Sequence, residues 1–291
     1  MFAPLLDKIR LHIGHWANSL LSYAGKIQLI NSVIFCLQNF WGSSVLLPKG
    51  IVKKVNKLCK DFLWGIEEGH TKLTFKSWDN FCLPREEGGV DIKEVLSWNR
   101  AQLLLWLHKL VLHSDTIWVR WVEAYILKGT SLWDFKLTSA YSWFWGSIIS
   151  CRDLLVQHLG GPLHASLFLQ GKDYKTCFYE MIRPKGTPFA HCKTVWDPLC
   201  FPKHRVIGLL AIQNRLPTID NLCKRGLVLV NRCALCESSL ETISHLFFRC
   251  SYSAVVWQAI AFWLHILPEV RLSELLHWYK TRNRGRSQLK R

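Results

Sequence analysis

The sequence predicts a mainly α fold, a helical bundle followed by a small helical zinc-binding domain. Three observations carry that expectation. Apolar residues recur at three- and four-residue spacing over long stretches, which is the period of one helix face. Extended pieces are expected in one glycine-rich connector, with Tyr174 to Ile182 left between helix and strand. Near the C-terminal end, Cys233, Cys236, His245 and Cys250 stand at a spacing that closes around one metal ion.

Taken in order, Ile27, Ile30, Ile34, Leu37 and Trp41 line a first helix face. A second helix follows Pro48, with Val52, Val55, Leu58, Cys59, Phe62 and Leu63 as its apolar stripe. Lys53, Lys54, Lys57 and Lys60 gather on its other side, either as a solvated face or as contacts to phosphate. Residues 65–92 hold Gly65, Gly69, Pro84, Gly88 and Gly89 and read as a connector, with short extended pieces around Leu73 to Trp78. Helices resume over Ile92 to Leu112 and Thr116 to Leu127. Residues 129–175 have no single period. One helix is expected there, Trp143 to Leu159, then a linker opening at Gly160-Gly161-Pro162, after which Tyr174 to Ile182 reads as a short helix or a strand.

Pro198, Pro202 and Pro217 punctuate the approach to the cysteine cluster. Helices are expected from Lys203 to Asn214 and from Ile219 to Arg225, the latter capped by Asp220 or Thr218 and stopped at Gly226. After Cys250, the run Tyr252 to Leu264 carries Val255, Val256, Ala259, Ile260 and Trp263, a helical face expected to pack beside the metal. A helix over Leu272 to Tyr279 precedes the tail Lys280 to Arg291, which reads as a disordered electrostatic arm or a nuclear import signal.

The chemistry of the cluster follows from its ligands. A Cys-x2-Cys turn presents two thiolates from one tight bend, and the later His and Cys complete a tetrahedron. With every coordination position filled by protein, the site is structural; hydrolysis would need an open position and a general base. One structural Zn2+ is therefore the expected cofactor. Cys36, Cys59, Cys82, Cys151, Cys177, Cys192 and Cys200 are scattered and read as core or incidental thiols. Cys223, ten residues ahead of the cluster, is a fallback ligand.

At 291 residues the chain has the length of about two domains. An odd count of 11 cysteines and the lack of a signal peptide point to reduced thiols and an intracellular, nuclear or cytoplasmic location. The longest apolar runs are broken by Gln28, Asn31, Gln38, Asn39 and His108, so no membrane span is expected. The net charge of +16 favours a polyanionic partner, because basic side chains release counterions from nucleic acid. Between Lys203 and Arg232, just ahead of the cluster, stand Lys203, Arg205, Arg215, Lys224, Arg225 and Arg232 against the single acid Asp220. They are the candidate contacts to RNA or single-stranded DNA, although three thiolates on one Zn2+ leave about one negative charge that some of them offset. Phe247, Phe248 and Trp257 are candidates for base stacking, but their helical spacing favours the core. His108, His113, His191 and His204 are dispersed, and no phosphate-binding glycine loop or small-molecule site is legible.

Several motifs occur in a telling order. Asn214-Arg215-Leu216-Pro217-Thr218, Asp220-Asn221-Leu222, Lys224-Arg225-Gly226, Cys233-Ala234-Leu235-Cys236, Glu241-Thr242, His245-Leu246-Phe247-Phe248-Arg249-Cys250 and Trp257 resemble the zinc-binding domain of plant non-LTR (LINE-type) retrotransposon reverse transcriptases. Upstream, the stretch from Trp16 through Gly25-Lys26-Ile27 to Asn31-Ser32-Val33 is similar to the segment just past the polymerase palm of that family. Phe62-Leu63-Trp64-Gly65, Trp78, Cys82, Pro84, Gly88-Gly89, Asn99-Arg100-Ala101 and Arg152-Asp153-Leu154 follow in the same order. The resemblance implies a thumb-like helical region at 1–128 downstream of a missing palm, an irregular linker region at 129–175, the zinc-binding domain at 176–267, and a short helix with a basic tail at 268–291.

The departures from the family are Asp91 where its glycine pattern continues, Gly146 where a basic residue is common, Leu209 where an aromatic is usual, and an abbreviated 160–175. No Asp-Asp pair occurs anywhere, so the Tyr-x-Asp-Asp turn that holds catalytic magnesium in the family is absent. The expected function is that of a non-catalytic, zinc-stabilised nucleic-acid-binding remnant. The alternatives are a helical protein-interaction module and a decayed, functionless reading frame.

Overall fold

The computed structural model describes residues 2–17, 20–67, 70–71, 74 and 76–264. The expected helix over Leu272 to Tyr279 and the basic tail lie outside them.

The fold is mainly helical, as the periodicity predicts. Helix α1 spans Ala3–Ala17. Helix α2 runs through Tyr23–Leu29, a wider π turn over Ile30–Ile34, and Phe35–Gly42. Its first turn is capped by the Ser22 hydroxyl, which accepts from the Gly25 amide. Helix α3, Lys49–Trp64, buries Val52, Val55, Cys59, Phe62 and Leu63 on one face and exposes Lys53, Lys54 and Lys57 on the other. The connector holds a two-residue antiparallel pair, Ile66–Glu67 (β1) with His70–Thr71 (β2). Trp78, expected in an extended piece, instead opens the short helix α4, Trp78–Cys82. Trp78 and Phe81 are both buried, and a helical turn sends two apolar side chains three apart to the same side.

Helix α5, Val95–Val111, is capped by Glu94, whose carboxylate accepts from the amides of Leu96 and Ser97. Helix α6 begins at Ile117–Trp121 and ends in a π turn, Val122–Leu127. Helix α7, Trp143–Leu159, has the predicted bounds. Gly160-Gly161-Pro162 is a joint, not an open linker. Gly160 stops α7 at φ 76°, and Pro162 starts helix α8, Pro162–Gln170, where its missing amide costs nothing. Tyr174–Ile182 is a helix, α9. Then follow α10 (Cys192–Val195), α11 (Pro202–Ile212), α12 (Ile219–Cys223) and α13 (Ser251–Leu264).

Two hydrophobic cores organise these helices. The first joins α1, α2, α3 and α4 to Val195 of α10 and to Val206, Leu209 and Leu210 of α11. The second is built from α5 to α9, with Trp145, Ile148 and Phe178 at its centre. Helix α5 serves both, through Val95 in the first and Leu103, Leu104 and Leu107 in the second.

Buried polar residues tie the backbone where helices end. Asn99 donates to the carbonyls of Gly42 and Val45 and accepts from the Leu47 amide, satisfying the exit from α2. Arg152 donates to the carbonyls of Leu132 and Phe135, which fixes the loop before α7. The Gly88-Gly89 turn is gripped from afar, since the Gly88 carbonyl accepts from Lys76 Nζ at 3.0 Å and from Gln213 Nε2 at 2.8 Å. A Cβ on Gly89 would lie 1.8 Å from the Leu83 carbonyl oxygen, so only glycine fits. Nearby, Arg183 is buried against Glu87, and the Gly186 amide donates to the same carboxylate. These bonds dock the chain leading to the cysteine cluster onto the N-terminal helices.

Candidate metal centre

The cluster is assembled from a loop and a helix. The loop is closed by the Glu237 amide donating to Cys233 O at 2.9 Å and the Cys233 amide donating to Ser239 O at 2.8 Å. This knuckle puts Cys233 and Cys236 side by side. His245 is presented from a turn whose start is capped by Thr242, with the His245 amide donating to Thr242 Oγ1 at 3.1 Å. Residues His245–Arg249 form a π turn, and the Cys250 amide donates to His245 O at 2.7 Å. Residues five apart point about 140° away from each other in an α-helix. The wider turn brings His245 and Cys250 to one side, which is how an x4 spacing serves a single ion.

The four donor atoms, one from each side chain, lie within 4.8 Å of one another. Cys233 Sγ is 4.0 Å from Cys250 Sγ, and Cys236 Sγ is 3.3 Å from His245 Nε2. A tetrahedral zinc with Zn–S bonds of about 2.3 Å has sulfur–sulfur edges of about 3.8 Å. The spacing therefore fits one zinc ion and is far too long for a disulfide, whose sulfurs lie about 2.05 Å apart. Cys233, Cys250 and His245 are buried, while Cys236 is partly open. The Ser238 hydroxyl and amide, and then His245, pull the Cys236 thiol down to about 6, toward the thiolate that a metal needs. Burial pushes the Cys233 thiol the other way.

Glu241, whose role spacing alone did not reveal, locks the surrounding loop. Its buried carboxylate accepts from the Ile219 amide at 3.0 Å and the Ala234 amide at 3.4 Å, while its own amide donates to Asn231 Oδ1. The start of α12 is thus capped across the fold. Thr218, at the cap position, makes no side-chain cap bond and turns its hydroxyl to Asp220 instead. The stop is at Gly226, φ 72°. Asn221 donates to Leu216 O at 2.9 Å and pins the Asn214–Pro217 loop, in which Asn214 holds φ 53°. Cys223 is outside the four-residue group.

The basic side chains have different surroundings. Lys203 and Arg215 are exposed. Arg205 is half-buried and donates to Cys200 O and Pro198 O. Lys224 pairs with Asp220 at 3.0 Å, Arg225 donates to Thr74 O at 2.8 Å, and Arg232 donates to Glu237 O inside the knuckle. Phe248 and Trp257 stack on each other at 5.7 Å, half-buried.

One expectation for α13 fails. Val255, Val256, Ala259, Ile260 and Trp263 do not pack beside the metal; they are exposed. The helix is anchored through its other side, where Trp257 Nε1 donates to Phe247 O at 2.6 Å and Ala261 is buried. Apolar periodicity marks a face but does not say which face meets the protein.

Residues 175–257 match the family described as zinc-binding in reverse transcriptase. A putative ribonuclease H protein of Arabidopsis thaliana is 27% identical over 117 residues, covering 40% of this chain and 19% of that protein. An uncharacterized mitochondrial protein of the same plant is 23% identical over 128 residues, covering 42% of this chain and 83% of that protein. The chain thus spans a small part of the first relative and most of the second. No helix among the described residues is long and apolar enough to cross a membrane. Ligand spacing, converged geometry and family match fall on the same segment, and the chain is related to retrotransposon reverse transcriptases through the zinc-binding domain it carries.

Proposed function

We propose that this chain is a non-catalytic, zinc-stabilised module that binds RNA or single-stranded DNA, derived from a plant LINE-type reverse transcriptase. In this reading residues 1–128 are its thumb-like region, 129–175 a connecting region and 176–267 the zinc domain, with Cys233, Cys236, His245 and Cys250 as ligands of one structural ion. The observation that carries the reading is the basic charge of the segment leading into the knuckle. Lys203, Arg215, Lys224, Arg225 and Arg232, which precede the knuckle in the sequence, are exposed, and the acid Asp220 among them is already paired with Lys224. The non-catalytic part rests on the carboxylates, since polymerisation needs acidic side chains converging on two metal ions and no two aspartates of the chain are adjacent. Reduced thiols and the absence of a small-molecule motif fit an intracellular protein, nuclear or cytoplasmic, that acts by binding.

The test is binding of a single-stranded RNA oligonucleotide across a salt series, read by fluorescence anisotropy. The logarithm of affinity should fall linearly with that of salt, and replacing Lys203, Arg215 and Arg232 by Gln should reduce the slope by about 0.7 for each phosphate no longer neutralised. Affinity indifferent to salt, or unchanged in the triple variant, would sink the assignment. Primer extension by the chain would sink its non-catalytic part.

A further inference from the structure

Lys76 belongs to no motif, yet the fold pins it where distant segments meet. It is half-buried, and its ammonium donates to Gly88 O at 3.0 Å and to Gln213 Oε1 at 3.0 Å. Both acceptors are neutral, and an ammonium has three protons, so one donor is left over. Arg215, two residues after Gln213, is exposed, and its charge falls on the same ammonium: burial first, then the Arg215 cation, holds Lys76 below its ordinary pKa. Arg225 reaches the connector as well, donating to Thr74 O at 2.8 Å, two residues from Lys76. Nearby acids are engaged elsewhere, Asp220 with Lys224 and Glu87 with Arg183. Among the described residues neither Lys76 nor Arg215 has a carboxylate partner.

The surroundings fix this pair in place. Gln213 uses both ends of its amide, Nε2 on Gly88 O at 2.8 Å and Oε1 on Lys76. Gly88 makes room for it, since a Cβ there would lie 2.7 Å from Gln213 Nε2. Two cations held together without a counter-charge repel, and more strongly where one is half-buried. An anion that bridged them would remove the repulsion and take up the open Lys76 donor. An ammonium beside a guanidinium suits the oxygens of a phosphate, which accept charge-assisted hydrogen bonds from both.

We propose that Lys76 and Arg215 together hold one phosphodiester of a bound single strand, so that its track runs from the segment leading into the knuckle across the Gly88-Gly89 turn to the connector. The site presupposes the nucleic-acid binding proposed above and adds to it a contact from outside the zinc domain. Lys76 makes the phosphate contact with Arg215, and Gln213 is a positioning residue.

Fluorescence anisotropy of the zinc-loaded full chain with oligo(U) and oligo(A) RNA tests the site. Lys76→Gln should weaken both oligonucleotides alike, by about three- to tenfold at low salt, and lower the salt slope by about 0.7. Gln213→Glu leaves Lys76 in place and supplies the missing counter-charge beside it, so it should weaken binding similarly even if Lys76→Gln disturbs the turn. Lys76→Arg keeps the cation and should stay within about twofold of the unaltered chain. Lys172→Gln removes the same charge from an exposed position between α8 and α9 and should change nothing. Because one phosphate is shared, Lys76→Gln combined with Arg215→Gln should lose less than the product of the two single losses. Full affinity in both Lys76→Gln and Gln213→Glu would overturn the proposal, as would equal weakening by Lys172→Gln, a loss in Lys76→Arg as large as in Lys76→Gln, or single losses that multiply. Displacement of RNA by inorganic phosphate below about 1 mM, absent in Lys76→Gln, would assign the pair to the free anion and overturn it equally. If the unaltered chain bound no RNA, the reading and the site would fall together; binding indifferent to Lys76 and Gln213 removes the site alone.

Discussion

The core of α5 to α9 and the segment around the cysteine cluster are stabilised in different ways. The former buries Leu103, Leu104, Leu107, Trp145, Ile148 and Phe178 almost completely. From Thr218 onward, the buried apolar residues among those described are Cys233, Ile243, Cys250 and Ala261. Two of these four are cluster cysteines. A stretch with so little apolar burial cannot offset the entropy of ordering its chain by packing alone. Its order comes from backbone bonds such as those to Glu241 and from the ion that four converged ligands can hold. One part of the molecule is held by hydrocarbon, the other by coordination.

Removing the metal is the strongest way to test that contrast. Structural zinc supplies about 10–16 kcal/mol in zinc-finger peptides, and here that energy is folding energy. Chelation, or Cys233→Ser, should therefore unfold residues 218–264 while α5 to α9 stay folded, seen as loss of amide protection confined to the former. Loss of protection throughout the chain would erase the distinction. Acid should release the metal by the same route, since protons compete with the ion for its thiolate ligands.

A substitution in the hydrocarbon core should do the converse. Phe178→Ala should cost about 3–5 kcal/mol in denaturant unfolding of α5 to α9, with zinc stoichiometry unchanged. If zinc were lost as well, the two parts would be one cooperative unit.

The Arg183–Glu87 pair ties the end of α9 to the turn ahead of α5 and gives an acid-sensitive effect of intermediate size. The Arg183 hydrogen bond holds the Glu87 carboxyl below its ordinary value of 4.5. A depressed carboxylate contributes stability fully above its unfolded pKa and loses it as pH falls through the folded one. Stability should thus decline below about pH 4.5 in the native chain, and less steeply in Glu87→Gln, as urea midpoints would record.

The smallest expected effect concerns Asp91, one of the departures from the family pattern. Its φ is 62°, the left-handed region where glycine is at ease and other residues pay. Asp91→Gly should raise stability by about 0.5–1 kcal/mol, the relief of strain exceeding the added freedom of the unfolded chain. A loss of stability would show that the aspartate side chain has a compensating role.

Much of this was legible in the residues. The ligand spacing named the four side chains that converge, and the one helix expected in 129–175 has its expected bounds, Trp143 to Leu159. The upstream residues read as resembling reverse-transcriptase motifs were legible as motifs, but their structural reasons were not. Asn99 satisfies the end of α2, Arg152 fixes the loop before α7, and the Gly88-Gly89 turn is held by Lys76 and Gln213. Each joins residues too far apart in sequence for any spacing rule to register. The π turn at His245–Arg249 was also hidden, because an apolar pattern over five residues does not separate it from an α-helix.

The sequence by itself determined the helical character, the ligand set and the kinship with reverse transcriptases, since periodicity, donor type and short spacing act through neighbours along the chain. The tertiary structure decided what meets what. It capped α12 with Glu241, drew α11 into the N-terminal core, and turned the anchored side of α13 toward Phe247 while its longer apolar stripe faced outward. Those outcomes depend on competition among surfaces distant in sequence, and a local pattern records that a face is apolar without recording which surface covers it.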